Sequence, residues 1–223
     1  VRMLGEVDLI AAEDTRHTRQ LLTHFDIHTK LTSYHEHNKL TKGPELIAYM
    51  QEGHDLVCVS DAGLPGICDP GSHLAQLAIE AGFKVTPLPG ANAGLSALIC
   101  SGLDTTRFTF IGFLPKTAKK QQEILTSVQN YPETLIFYEA PHHLKATLKA
   151  LYSVLGDRQV ALGRELTKKF EEAPELLLSE ALEFYREKEP KGEYVLVLSG
   201  RDPRRDDSVI FRASPETGKV RVR

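Results

Sequence analysis

Residues 59–71 read VSDAGLPGICDPG and follow directly on the apolar run DLVCV. Three glycines, two prolines and two aspartates fall within these thirteen residues. An apolar run of strand length breaks into this loop, and SHLAQLAIEAG (72–82) resumes with helical spacing. Together they make the strand–loop–helix unit of an α/β protein. Glycine and alanine let main-chain N–H and C=O groups approach a ligand closely, and proline stiffens the loop that presents them.

The alternation continues on both sides of the loop. Before it, VDLIAAE (7–13) predicts a buried strand, and DTRHTRQLLTHF (14–25) a helix capped by Asp14 or Thr15. KLTSYHE (30–36) predicts a strand, and GPELIAYMQEG (43–53) a helix with Pro44 in its first turn and Gly53 as its stop. After it, FKVTPLP (83–89) predicts a strand and GANAGLSALICSG (90–102) a helix of small residues. A second block has strands at RFTFIGFLP (107–115), TLIFYEA (134–140), RQVALGREL (158–166) and GEYVLVLSG (192–200). Its helices are TAKKQQEILTSVQN (117–130), PHHLKATLKALYSVLG (141–156) and SEALEFYREKE (179–189).

The pattern predicts an α/β chain of two domains, with a mainly parallel sheet in the first and a mixed sheet in the second. The polar, turn-prone SGLDTT (101–106) sets the seam, giving domains over 1–104 and 105–200. The tail, 201–223, carries seven arginines or lysines without helical periodicity. It reads as a loosely docked extension or as an RNA-binding arm.

Composition removes several classes. The 223 residues are 41% hydrophobic, enough for real cores. No run of about 18 apolar residues predicts a membrane span, and no secretory leader is expected. Cys58, Cys68 and Cys100 form no C-x-x-C pair, which predicts reduced thiols in a cytoplasmic protein. The net charge of −3 argues against coating nucleic acid by bulk electrostatics and leaves local recognition of RNA open. There is no G-x-x-x-x-G-K-[ST] phosphate loop and no G-x-S-x-G elbow. The glycines at 63, 66 and 71 do not spell G-x-G-x-x-G, and the next predicted strand ends in Leu88-Pro89 without an acid for a ribose.

In an open α/β sheet, ligands sit beyond the carboxyl ends of the strands. Three loops rich in small residues or proline are predicted there: SDAGLPGICDPG, PLPGANAGLSAL (87–98) and YEAPHHL (138–144). AEDTRHT (12–18) adds Glu13, Asp14, Arg16 and His17, four ionisable groups within five positions. YHEHN (34–38) places His35 and His37 on one face of a strand, but no third ligand stands at matching spacing, so no metal site is expected. RELTKKFEE (164–172) contributes Arg164, Glu165, Lys168 and Lys169, read either as an exposed charged turn or as substrate-facing. KTAKK (116–120) reads as a solvated helix start.

In order and spacing, AEDTRHT, SYHEHN, SDAGLPGICDPG, PLPGANAGLSALICSGL, FIGFLP, FYEAPHHL and GRELTKKFEE resemble one family. It is the ribosomal RNA small subunit methyltransferase I group of the tetrapyrrole methylase superfamily, and the resemblance spans roughly residues 1 to 200. It implies a two-domain tetrapyrrole-methylase-like fold with S-adenosylmethionine in a cleft between the domains, usually in a homodimer. It implies methylation of a cytidine 2′-hydroxyl in the decoding region of 16S ribosomal RNA, presented free or in the small subunit. The motif match assigns Ser60, Asp61, Ala62, Gly63, Pro89, Gly90 and Ala91 to the cofactor, with Tyr138, Glu139 and Ala140 closing its far side.

This sequence departs from the family at four places. The family's first strand and its small-residue loop fall before AEDTRHT, where this sequence has only the few residues from Val1. Leu64 stands where threonine is usual, and His143 where arginine is usual. APELLL follows RELTKKFEE in place of a short R-G-T-like turn.

Methyl transfer from a sulfonium is an in-line displacement, helped by alignment and by a base near the weakly acidic hydroxyl. Glu13 or Asp14 is the expected acid/base group and Arg16 the expected phosphate-positioning group, with His17 and Lys168 as second choices. The chemistry requires no metal. Two other readings are a methyltransferase for a tetrapyrrole-like small molecule and a non-catalytic RNA- or nucleotide-binding module.

Overall fold

The computed structural model describes residues 1–202. The described residues form two compact units, which part between Asn92 and Ala93. The predicted tail therefore lies, from residue 203 onward, outside the described residues.

The first unit opens with the short helix α1 (Arg2–Glu6) and continues as β1 (Leu9–Ala12), α2 (Thr15–His24), β2 (Lys30–Ser33), α3 (Lys39–Gln51), β3 (Leu56–Val59) and α4 (Gly71–Glu80). The strands pair in the order β2-β1-β3, all parallel. Ile10, Ala11 and Ala12 are fully buried because β1 is central. Their alternation splits the core. Ala11 joins Tyr34, Leu46 and Leu74 on one face, and Ile10 joins Val7 and Leu22 on the other. The close packing of α3 on α4 needs Gly43, where a Cβ would lie 2.7 Å from the Leu77 side chain.

Three local expectations change here. Helix α3 begins at Lys39, so Pro44 is an interior residue and not a first-turn one. Strand β2 stops at Ser33, and His35 to Asn38 form a turn closed by hydrogen bonds from Asn38 and Lys39 N–H to the His35 carbonyl. His35 and His37 therefore do not alternate along a strand. Residues 83–89 form no strand and are largely exposed. Pro87 and Pro89 have no N–H to donate to a ladder, which disfavours strand pairing here.

The second unit runs α5 (Ala93–Cys100), β4 (Phe108–Phe113), α6 (Ala118–Val128), β5 (Thr134–Glu139), α7 (Leu144–Leu155), β6 (Gln159–Arg164), β7 (Glu175–Leu177), α8 (Leu178–Glu187) and β8 (Tyr194–Leu198). The sheet order is β4-β5-β8-β6-β7. Only β4–β5 is parallel, and the other three pairs are antiparallel, so this sheet is mixed as predicted. One face packs on α6, α7 and α8 through Leu125, Leu148, Leu151, Leu162, Ala181 and Leu196. The other carries α5, whose Ala97 and Leu98 meet Ile136, Ala161, Val195 and Val197. Gly163 permits that approach, since a Cβ there would sit 3.2 Å from the Ala97 Cβ. This packing assigns α5 to the second unit, so the units part at Asn92–Ala93 and not within 101–106.

Candidate functional site

In the first unit the chemistry-bearing residues gather at the carboxyl ends of β1 and β3. Asp14 caps α2, its carboxylate accepting from Arg16 N–H at 2.8 Å. The same carboxylate accepts from Arg16 Nε at 3.1 Å and from Nη2 at 2.6 Å, a two-pronged ion pair. Hydrogen bonds from the Arg16 side chain and then its backbone hold the Asp14 carboxyl well below the usual carboxylate range.

Asp61, just past β3, braces this turn. Its Oδ1 accepts from Asp14 N–H at 3.2 Å, and its Oδ2 lies 3.5 Å from His17 Nδ1. In return, Glu13 Oε2 accepts from Asp61 N–H at 3.5 Å, and Glu13 N–H donates to the Val59 carbonyl at 3.3 Å. Glu13, Asp14, Arg16 and His17 therefore form one cluster with Asp61. Oxygens of Asp14 and Asp61 and a ring nitrogen of His17 converge within 4.8 Å. Arg16 occupies the Asp14 carboxylate, so this trio is an ion-pair network and not an open ligand set.

The loop 59–71 winds around Asp69, whose carboxylate accepts from Gly66 N–H at 2.9 Å and Gly71 N–H at 2.7 Å. A side chain at Gly71 would meet Asp69 Oδ1 at 2.8 Å and Gly66 N at 2.9 Å, so glycine is obligatory there. Ser60 Oγ donates within the loop, to the carbonyls of Ala62 and Gly63. Leu64 N–H donates to the Ala91 carbonyl at 2.8 Å. That bond joins the two small-residue loops, so residues 60–63 and 89–91 share one patch. Asp61, Ala62, Gly63, Pro89, Gly90 and Ala91 are all exposed. The sequence reading missed Asp69. The signal was there in the D-P-G triplet, because aspartate before a turn bonds the backbone two residues on.

The second unit holds the remaining candidates. The Tyr138 hydroxyl accepts from Gly94 N–H at 3.0 Å at the start of α5, and its ring meets Phe110 and Phe113 edge-on at 5.1 and 5.6 Å. Glu139 is buried, with one oxygen accepting from Ala140 N–H at 2.8 Å and the other from Thr147 Oγ1 at 2.5 Å. Its carboxylate ties the end of β5 to α7. Lys168 lies 3.1 Å from Glu165 Oε1 and 3.7 Å from Glu193 Oε2. The hydrogen bond to Glu165 raises the Lys168 pKa and favours its charged form.

The family model described as "Tetrapyrrole (Corrin/Porphyrin) Methylases" matches residues 1–182. The chain belongs to the tetrapyrrole methylase family. Two of the curated relatives that this chain resembles are named "Ribosomal RNA small subunit methyltransferase I". The one from Halalkalibacterium halodurans is 52% identical over 90% of this chain and 69% of its own length. The one from Bacillus subtilis is 47% identical over 88% of this chain and 68% of its own length. Among solved structures, the methyltransferase CobJ matches with a TM-score of 0.64 at 18% identity, over 96% of this chain and 89% of CobJ. Uroporphyrin-III-C-methyltransferase from Thermus thermophilus matches with a TM-score of 0.58 at 17% identity, over 88% and 84% of the two chains. These two likenesses establish the tetrapyrrole methylase fold, which agrees with a parallel first sheet and a mixed second one.

Proposed function

We propose that this tetrapyrrole methylase transfers a methyl group from S-adenosylmethionine to a cytidine 2′-hydroxyl in the decoding region of 16S ribosomal RNA, free or in the small subunit. The observation that carries the reading is identity of about half over nine-tenths of the chain to relatives named for the small-subunit ribosomal RNA. The solved neighbours named for tetrapyrrole chemistry are only 17–18% identical, so they favour no small-molecule acceptor. The same reading carries a homodimer in the cytoplasm. Among the described residues no helix is long and apolar enough to cross a membrane.

The residues present fit the methyl donor. Gly63 and Gly90 leave exposed main chain bare in loops joined at Leu64 and Ala91, a surface suited to gripping a nucleoside by backbone hydrogen bonds. We assign Ser60, Asp61, Ala62, Gly63, Pro89, Gly90 and Ala91 to the donor, together with Tyr138, Glu139 and Ala140 of the second unit. When bound, the donor supplies an electrophilic methyl group. Glu13 is the stronger candidate to take the hydroxyl proton, because Arg16 already satisfies Asp14. Arg16, with its side chain 86% exposed, is the group to position a phosphate. Asp61 orients His17, and Lys168 acts as a fixed cation.

The test is transfer of labelled methyl to unmodified small subunits and, in parallel, to naked 16S RNA. Label mapping to a cytidine 2′-oxygen is the expected result. Label in a porphyrinoid and not in RNA would move the protein to the small-molecule branch. Donor binding without transfer to any RNA would leave a binding module.

A further inference from the structure

At the end of β6 in the second unit, a cavity of about 300 Å³ is lined by Arg164, Lys188, Glu189, Lys191 and Tyr194. Its charge is lopsided. Glu189 is the one acid in the lining, and Lys145 pairs with it at 2.7 Å. Lys188 rests 4.4 Å over the Phe184 ring, and neither Lys188 nor Lys191 pairs with a carboxylate among the described residues. Arg164 forms the anchored side, its side chain only 16% exposed. Its Nε donates to the Lys191 carbonyl at 2.6 Å, and its Nη1 pairs with Glu172 at 3.1 Å. That leaves Nη2 without a partner among the described residues. The Lys191 backbone is fixed from the other side as well, its N–H donating to the Tyr194 hydroxyl at 3.3 Å. Three cations thus line one cavity, with the loop bearing Lys191 held in place and two exposed ammonium groups that have no carboxylate partner among the described residues.

We propose that this cavity is a phosphate-binding site. Two lysines and a guanidinium edge on a fixed frame match the geometry of a phosphate that keeps some of its water. Among phosphate sources, the ribose–phosphate backbone of RNA fits a chain of net charge −3, which needs a local cationic contact to hold a polyanion. The RNA source rests on the function proposed above, and the phosphate chemistry does not.

The experiment uses the full chain and its double variant Lys188→Gln/Lys191→Gln. Binding of a short single-stranded RNA oligonucleotide is followed by anisotropy across a salt series, and inorganic pyrophosphate is titrated separately by calorimetry. The expected result is RNA affinity down roughly fivefold or more at low salt, with the slope against log salt reduced by about 1. Pyrophosphate binding is lost as well, and Lys188→Arg/Lys191→Arg restores both. S-adenosylmethionine binding, measured by dialysis, stays unchanged and verifies that the variants fold. Wild-type binding of pyrophosphate but not RNA would keep the phosphate site and overturn its RNA source, while the labelled-methyl test on subunits and 16S RNA decides the proposed function separately. The proposal is overturned if the wild type binds neither probe. It is equally overturned if the variant binds both as the wild type does, or if the charge-matched Lys84→Gln/Lys149→Gln loses as much.

Discussion

Glu13 and Asp14 are neighbours in sequence and unequal in chemistry. The sequence put both carboxylates at a strand end but could not rank them, because rank depends on which one Arg16 embraces. Glu13→Gln is expected to lower methyl transfer by about 100-fold or more, the usual worth of a general base, with donor binding intact by dialysis. Asp14→Asn is expected to act differently, freeing Arg16 and loosening the start of α2, so that RNA KM rises more than kcat falls. The sign of the pH dependence follows from the depressed Asp14 pKa. Its contribution to stability is complete above its ordinary value of 3.8 and is lost only as pH falls below that value. A carbon-13 titration should therefore show no Asp14 inflection between about pH 4 and 8. The cysteines also separate. Burial pushes the Cys58 thiol up to about 12, whereas Cys68 and Cys100 are exposed. A thiol reagent at neutral pH should modify Cys68 and Cys100 in the folded chain and reach Cys58 only after denaturation.

Elements built on apolar runs were legible in advance: β1, β3, β5, β6 and β8 all coincide with them. Elements that depend on a partner were not. The run 83–89 has strand composition, yet its two prolines remove two ladder donors and it pairs with no strand among the described residues. Strand β7 is three residues long and hides in APELLL, visible only through its pairing with β6. The loop 59–71 is likewise set by one carboxylate, Asp69, and one close approach. Gly71→Ala would drive a methyl group into Asp69 and Gly66, so a lower melting temperature and weaker S-adenosylmethionine binding are expected together. Calorimetry and dialysis on one preparation would check both. Tyr138→Phe removes the hydroxyl that accepts from Gly94 N–H. It should cost about 1 kcal/mol of unfolding free energy, read by denaturant titration.

For the molecule as a whole, the seam shows the limit of reading composition. SGLDTT is the more polar break, but domain membership follows burial, and α5 buries Ala97 and Leu98 against the second sheet. A fragment covering 93–202 keeps five strands, four helices and both of that unit's hydrophobic clusters. Expressed alone it should unfold cooperatively in denaturant, whereas a fragment starting at 105 should lose that sharpness because α5 is gone. The bond from Leu64 N–H to the Ala91 carbonyl has a consequence for descent. Every amino acid except proline carries that N–H, so position 64 can drift between leucine and threonine while the spacing of the two loops is inherited unchanged. Selection on that spacing would leave no trace in the side chain at 64 beyond the exclusion of proline.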